Sequence, residues 1–246
     1  MEYAAVRDDM VTSLEHDTKD VVHDPAVADA MRTVPRHEFV DDDAGHRAYA
    51  DREFEHRGTR VLAPSTAARL VEALHPEPGN DVLVVGVGVG YTAALLAELV
   101  GAQRVHAVDI DRRLVYDARR TLADAGYGDV LVDCANGADG LPAYAPYDRI
   151  LVEAAAVRPP RALRAQLADG GRLVYPEGAH RQRLVALEDD DRRDYGEVEF
   201  APLLVEGEQA SAPVRNRTVR EDRERAAKAN ERRHGWEQDW IDWDAR

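Results

Sequence analysis

The chain has one cysteine, Cys134, so no disulfide can form within it. It is nearly devoid of lysine: of 32 basic residues only Lys19 and Lys228 are lysines, and the rest are arginines. No apolar run approaches the ~20 residues that a bilayer span requires. The opening MEYAAVRDDMVTSL lacks the basic start and apolar stretch of a secretory signal. These absences lead us to expect a cytoplasmic protein with no membrane contact. Basic charge is also in deficit, with 47 acidic residues giving a formal net charge of −15. That balance argues against nucleic acid as a partner, because phosphate binding rests on clustered cations. An acidic, lysine-poor chain with clusters such as VDDDAG and LEDDDRRD suits a salt-loaded (halophilic) cytoplasm, where carboxylate repulsion is screened.

At 246 residues and 44% hydrophobic, the chain can bury a substantial core. We expect three regions: 1–78, a helical and irregular N-terminal cap on the substrate side; 79–209, an α/β domain; and 210–246, a charge-dense extension. In the cap, Asp24 and Pro25 open one helix, as N-cap and first helical residue. Pro64 and Ser65 open another, with Ala68, Val71 and Leu74 on its apolar face. From Asp81 the pattern changes. DVLVVG, RVHAVDI, DVLVDCA and YDRILVEAAA read as strands, and YTAALLAELVG and DRRLVYDARRTLADAG as helices closed by Gly101 and Gly126. PRALRAQLADGG reads as a further helix, and RLVYPEG and QRLVALED as the last strands. Alternation of this kind means a doubly wound, mainly parallel Rossmann-like sheet. In the extension Trp236, Trp240 and Trp243 share one helical face, which suits docking on the domain or a partner.

In such sheets the ligand sits at the carboxyl ends of the strands. Gly86, Gly88 and Gly90 follow the first strand, with spacing G-x-G-x-G. A dinucleotide fingerprint needs G-x-G-x-x-G, and Tyr91 stands where its third glycine would be. The shorter loop suits S-adenosyl-L-methionine (SAM), which has no pyrophosphate, and makes a nicotinamide dehydrogenase a distant alternative. Asp109 ends the second strand, where a carboxylate can accept from both ribose hydroxyls. Asn136 and Gly137 end the third, within reach of the adenine.

With these residues in place the chain resembles the protein-L-isoaspartate O-methyltransferase family, a class of SAM-dependent methyltransferases. VADAMRTVPRHEFV (27–40) resembles the family's A-M-x-x-V-P-R-H-x-F-V, and AYADR (48–52) its A-Y-x-D. YDRILVEAAAVRPPRALRAQLADGGRLVYPEG (147–178) and FAPLL (200–204) match its later segments, so the resemblance spans roughly residues 10–209. It implies methylation of isoaspartyl carboxyls in damaged proteins or peptides. The departures fall at the active site. The family's G-Q-T-I-S-x-P, whose serine is assigned the catalytic role, reads GTRVLAP here. Leu62 takes the serine position and Arg60 the threonine position, so Arg60, Val61 and Leu62 are the implied substrate-side residues. The family's acid before the glycine loop is apolar here (Val84, Val85), and its G-D-G is Ala135-Asn136-Gly137. Glu153 replaces a threonine at the end of the fourth strand, where a carboxylate would repel an acidic acceptor.

Methyl transfer to a carboxylate needs no general base, because that acceptor is already ionised at pH 7. It needs alignment and exclusion of water. Arg60 and Glu153 are therefore the catalytic-site candidates, with Arg60 either holding the acceptor carboxylate or pairing with Asp51 or Glu55. Two alternatives stay open: the same fold with another methyl acceptor, and a SAM-binding homologue without catalysis.

Overall fold

A computed structural model describes residues 2–16, 18–56, 59–189 and 191–203. The charged extension, with Trp236, Trp240 and Trp243, lies outside the described residues.

The chain runs α1 (Glu2–Glu15), α2 (Pro25–Thr33), β1 (Phe54–His56), β2 (Thr59–Val61), α3 (Pro64–Leu74), β3 (Val82–Val85), α4 (Tyr91–Val100), β4 (Val105–Asp109), α5 (Arg112–Asp124), β5 (Leu131–Cys134), β6 (Tyr147–Val152), α6 (Arg161–Arg164), β7 (Leu167–Glu177), β8 (Gln182–Glu188) and β9 (Asp191–Val198). The main sheet has the order β5-β4-β3-β6-β7-β8-β9. Strands β5, β4, β3, β6 and β7 are parallel, while β8 and β9 run antiparallel to their neighbours.

The continuous apolar run of β3 follows from its place in the middle of the sheet. Val82 and Val84 join the core on one face, and Leu83 and Val85 the core on the other. Asp24 caps α2, accepting from the Ala26 amide at 2.8 Å, with Pro25 at its first position. No side chain within α3 caps its start. Instead Asp51, from the preceding loop, accepts from the Ser65 amide at 2.9 Å and from Lys19 at 2.7 Å. Burial raises the Asp51 pKa, but these two partners outweigh it and hold the carboxyl below its ordinary range.

The C-terminal half departs from expectation in three places. The helix expected over PRALRAQLADGG stops at Arg164, and Leu167 already belongs to the long β7. β9 was not expected at all; it pairs with β8 as a charged edge strand. The N-terminal region, expected to be helical and irregular, also carries the antiparallel pair β1–β2.

Candidate active site

The topology places a crevice where the strand order reverses. From β3 the chain moves outward through β4 to β5, then returns to β6 on the other side of β3. Ligands bind α/β sheets at such a switch point, outside the carboxyl ends of the strands. Gly86, Gly88, Asp109, Asn136, Gly137 and Glu153 meet there, around a cleft of about 210 Å³.

The β3–α4 loop makes the floor. Gly86 and Gly88 have φ of 88° and 52°, values that side chains other than glycine rarely tolerate. The Gly86 and Val87 amides both donate to the Val108 carbonyl, at 2.8 and 3.0 Å, which ties the loop to β4. Asp109 holds it again from the cleft side. Its Oδ2 accepts from the Gly88 amide at 3.1 Å, and its Oδ1 from the Asp111 amide at 3.0 Å. Each oxygen has further acceptor capacity to offer a ligand.

Asn136 lines the cleft with its amide engaged in its own turn. Nδ2 donates to Asp139 at 3.0 Å and Oδ1 accepts from the Ala138 amide at 3.1 Å. Gly137 is there for closeness: a Cβ on it would lie 2.5 Å from Val85 Cγ1. Two expected residues are placed elsewhere. Gly90 starts α4 with its α-carbon turned to α5, where a Cβ would sit 3.1 Å from Leu122 Cγ. Val61 is wholly buried in the core.

Glu153 differs from the carboxylate expected at the strand end. Although half-buried as a residue, it presents an Oε1 that is shut off from solvent and has no hydrogen-bond partner. Burial lifts its pKa to about 8; a hydrogen bond with Thr92 works against the rise, and the nearby Asp109 charge adds to it. The same burial that raises the pKa favours the neutral acid, which weakens the repulsion expected of a carboxylate here.

Glu153 and Gly88 also border a second, much smaller recess of about 20 Å³, with Arg60, Leu62, Tyr91 and Thr92. Leu62 packs against the core, and its carbonyl accepts from the Arg36 guanidinium at 2.7 Å. Arg36 is fully buried, donates also to the Ala48 carbonyl at 2.7 Å, and lies over the Tyr91 ring. It thereby fixes the strand-to-helix segment that carries Leu62. Arg60 pairs with Glu53 at 3.0 Å, not with Asp51 or Glu55. The pair is substantially exposed, so it is weak and can be exchanged for another anion.

Several cleft residues were not anticipated: Thr59, whose hydroxyl lies over Gly88, and Ile110, Leu114 and Leu203. Ile110 had a legible signal, a large apolar side chain just past the strand-end acid; it is 54% exposed. Thr59 and Leu203 had none, because the approach of distant segments brings them in.

A roomier groove of about 660 Å³ lies between the N-terminal segment, α3 and β9. Its polar groups already satisfy one another. Lys19 pairs with Asp51, Arg69 donates to the Tyr195 and Glu197 carbonyls, and Glu72 accepts from the His23 and Asp24 amides. The smaller cleft is the one that holds an unsatisfied group.

Comparison with known proteins identifies the family. The model of the protein-L-isoaspartate(D-aspartate) O-methyltransferase family matches residues 6–207. A protein-L-isoaspartate O-methyltransferase of Rhodopseudomonas palustris is 42% identical over 211 residues, covering 81% of this chain and 94% of its own length. One from Aeropyrum pernix is 43% identical over 190 residues, covering 73% of each chain. A solved protein-L-isoaspartate O-methyltransferase superposes with a TM-score of 0.70 at 25% identity, over 80% of this chain and 65% of that one. A Plasmodium falciparum structure in complex with S-adenosyl-L-homocysteine has a TM-score of 0.69 over 80% of this chain and 98% of that one; at 19% identity it is a likeness of fold. The chain belongs to the protein-L-isoaspartate(D-aspartate) O-methyltransferase family.

Proposed function

We propose that the protein is a SAM-dependent carboxyl methyltransferase acting on isoaspartyl residues of damaged proteins, in the cytoplasm and without nucleic acid as a partner. The observation that carries this reading is the convergence of the glycine loop, Asp109 and Glu153 on one cleft at the switch point, in a chain of this family. The donors and acceptors fit the cofactor. Gly86 and Gly88 allow close approach of backbone, Asp109 has acceptor capacity for ribose hydroxyls, and Ile110 and Gly137 offer an apolar slot for a base. Bound there, SAM supplies an electrophilic methyl group.

Asp109 on β4 would hold the ribose and the β5 side the base, which would leave the reactive end toward β6, where the recess with Arg60, Leu62 and Glu153 begins. The acceptor is a carboxylate, so these residues have only to orient it and keep water out. Arg60 can release Glu53 and bind the acceptor through a charge-assisted bond. Leu62 contributes shape alone.

The test is methylation of an isoaspartyl peptide, read as a base-labile methyl ester. Wild type should turn over slowly. Leu62→Ser should accelerate it by roughly 10- to 150-fold, the worth of one restored hydrogen bond to a charged group realised in the transition state. Arg60→Ala should reduce turnover in both backgrounds. Cofactor binding with no ester formed by wild type or Leu62→Ser would move the assignment to another acceptor or to a non-catalytic role.

A further inference from the structure

Glu153 is the one carboxyl among the described residues whose oxygen is both shut from solvent and without a partner. It lines both the cleft and the recess, where on the cofactor reading above the reactive end would lie. A buried polar atom without a partner is costly, and its persistence at a binding site implies that a ligand completes it. We propose that Glu153 is the counter-charge for the cofactor's sulfonium, binding it as the carboxylate and so making the site prefer SAM over its neutral thioether product. The inference rests on the cofactor reading above and deepens it.

The surroundings of Glu153 decide what can ionise it. From β4 it faces Asp109, which is negative; from α4 it faces the Thr92 hydroxyl and Tyr91; from β2 comes Arg60, already paired with Glu53. Among the described residues no cation is paired with it, and burial favours its protonated form, with the pKa raised to about 8. A permanent positive charge brought into this poorly solvated pocket favours the anion strongly. The carboxyl then gives its proton to solvent as SAM binds. Beside the uncharged thioether product nothing would offset the nearby Asp109 charge, and Glu153 would take its proton back from solvent.

The experiment is titration calorimetry of the full chain in molar KCl at pH 7, with SAM and with S-adenosylhomocysteine, in buffers of low and high ionisation enthalpy. The two ligands share the ribose, base and amino-acid groups, so their difference isolates the sulfonium. SAM binding to wild type should release about one proton, and binding of the thioether close to none. Glu153→Gln keeps the shape and removes the charge. It should cut the preference for SAM over the thioether by roughly 10- to 100-fold, abolish the proton release and leave thioether affinity nearly unchanged, which also shows that the variant is folded. An equal loss for both ligands would assign Glu153 to the amino-acid end and overturn the proposal. So would an unchanged preference. Binding of neither ligand by wild type would instead overturn the cofactor reading, and this inference with it.

Discussion

Asp109 uses one carboxylate for two purposes. One oxygen holds the Gly88 amide and the other the Asp111 amide, so the residue shapes the glycine loop and the start of α5 before any ligand arrives. The capacity that remains faces the cleft. Asp109→Ala should therefore weaken SAM and S-adenosylhomocysteine alike, by roughly 10- to 150-fold, since a hydrogen bond to a charged group is worth ~1.5–3 kcal/mol. Equal loss on both ligands distinguishes it from Glu153, whose effect should follow the sulfonium. Calorimetry measures both, and unchanged affinity in Asp109→Ala would remove the residue from the site. That Asp109, Gly86 and Gly88 come together at one cleft was legible in the sequence because strand, loop and acid follow one another along the chain. Thr59 was not: its hydroxyl reaches Gly88 only because β2 folds over the β3–α4 loop. The protonation of Glu153 was hidden for a related reason. A sequence shows a carboxylate at a strand end, whereas burial and the neighbouring Asp109 decide its charge.

At the scale of elements, Gly90 separates packing from binding. It belongs to the glycine run, yet its left-handed conformation (φ 93°) begins α4 and its open side accommodates Leu122 of α5. Gly90→Ala adds a methyl both to a strained backbone and to a contact of 3.1 Å. It should destabilise the fold by about 1–3 kcal/mol, read as a lower midpoint in thermal or denaturant unfolding. Ligand affinity of the folded variant should change far less than in Asp109→Ala. A large affinity loss with unaltered stability would return Gly90 to the binding surface. The buried strands β3 to β6 could be read from their apolar runs, because helices cover both faces of the sheet there. The far edge could not. β9 is a charged, mostly exposed strand (DRRDYGEV), and edge strands carry charge to discourage pairing with other chains, which erases the apolar alternation that would betray them. The false helix over 160–171 has helical spacing at Leu163 and Leu167, but these side chains belong to different elements. Leu163 lies within the short α6, and Leu167 pairs with Tyr147 as β7 begins.

For the whole molecule the governing quantity is charge. Fifteen more negative than positive side chains repel one another in the folded state more than in the expanded chain. Arginine offsets part of this locally. Arg32 bridges Asp8 and Glu15, Arg183 meets Asp194, Arg192 meets Glu177, and Arg172 holds Glu188. Salt therefore acts in two directions, weakening these pairs while screening the net repulsion. Most of the pairs are exposed and individually worth little, about 0–1 kcal/mol, so screening of the repulsion should dominate. The melting temperature should rise between 0.05 and ~1 M KCl, where the Debye length falls to ~3 Å, and the screening contribution should then level off. Replacing exposed acids should imitate salt. Asp29 and Asp43 have highly exposed side chains with only a distant arginine, at 3.9 and 4.0 Å. A chain carrying Asp29→Asn and Asp43→Asn should melt higher than wild type in low salt and lose that advantage in molar KCl. A melting temperature indifferent to KCl across this range would show that repulsion is not the main liability, and the reading of the acidic surface as an adaptation to salt would fall.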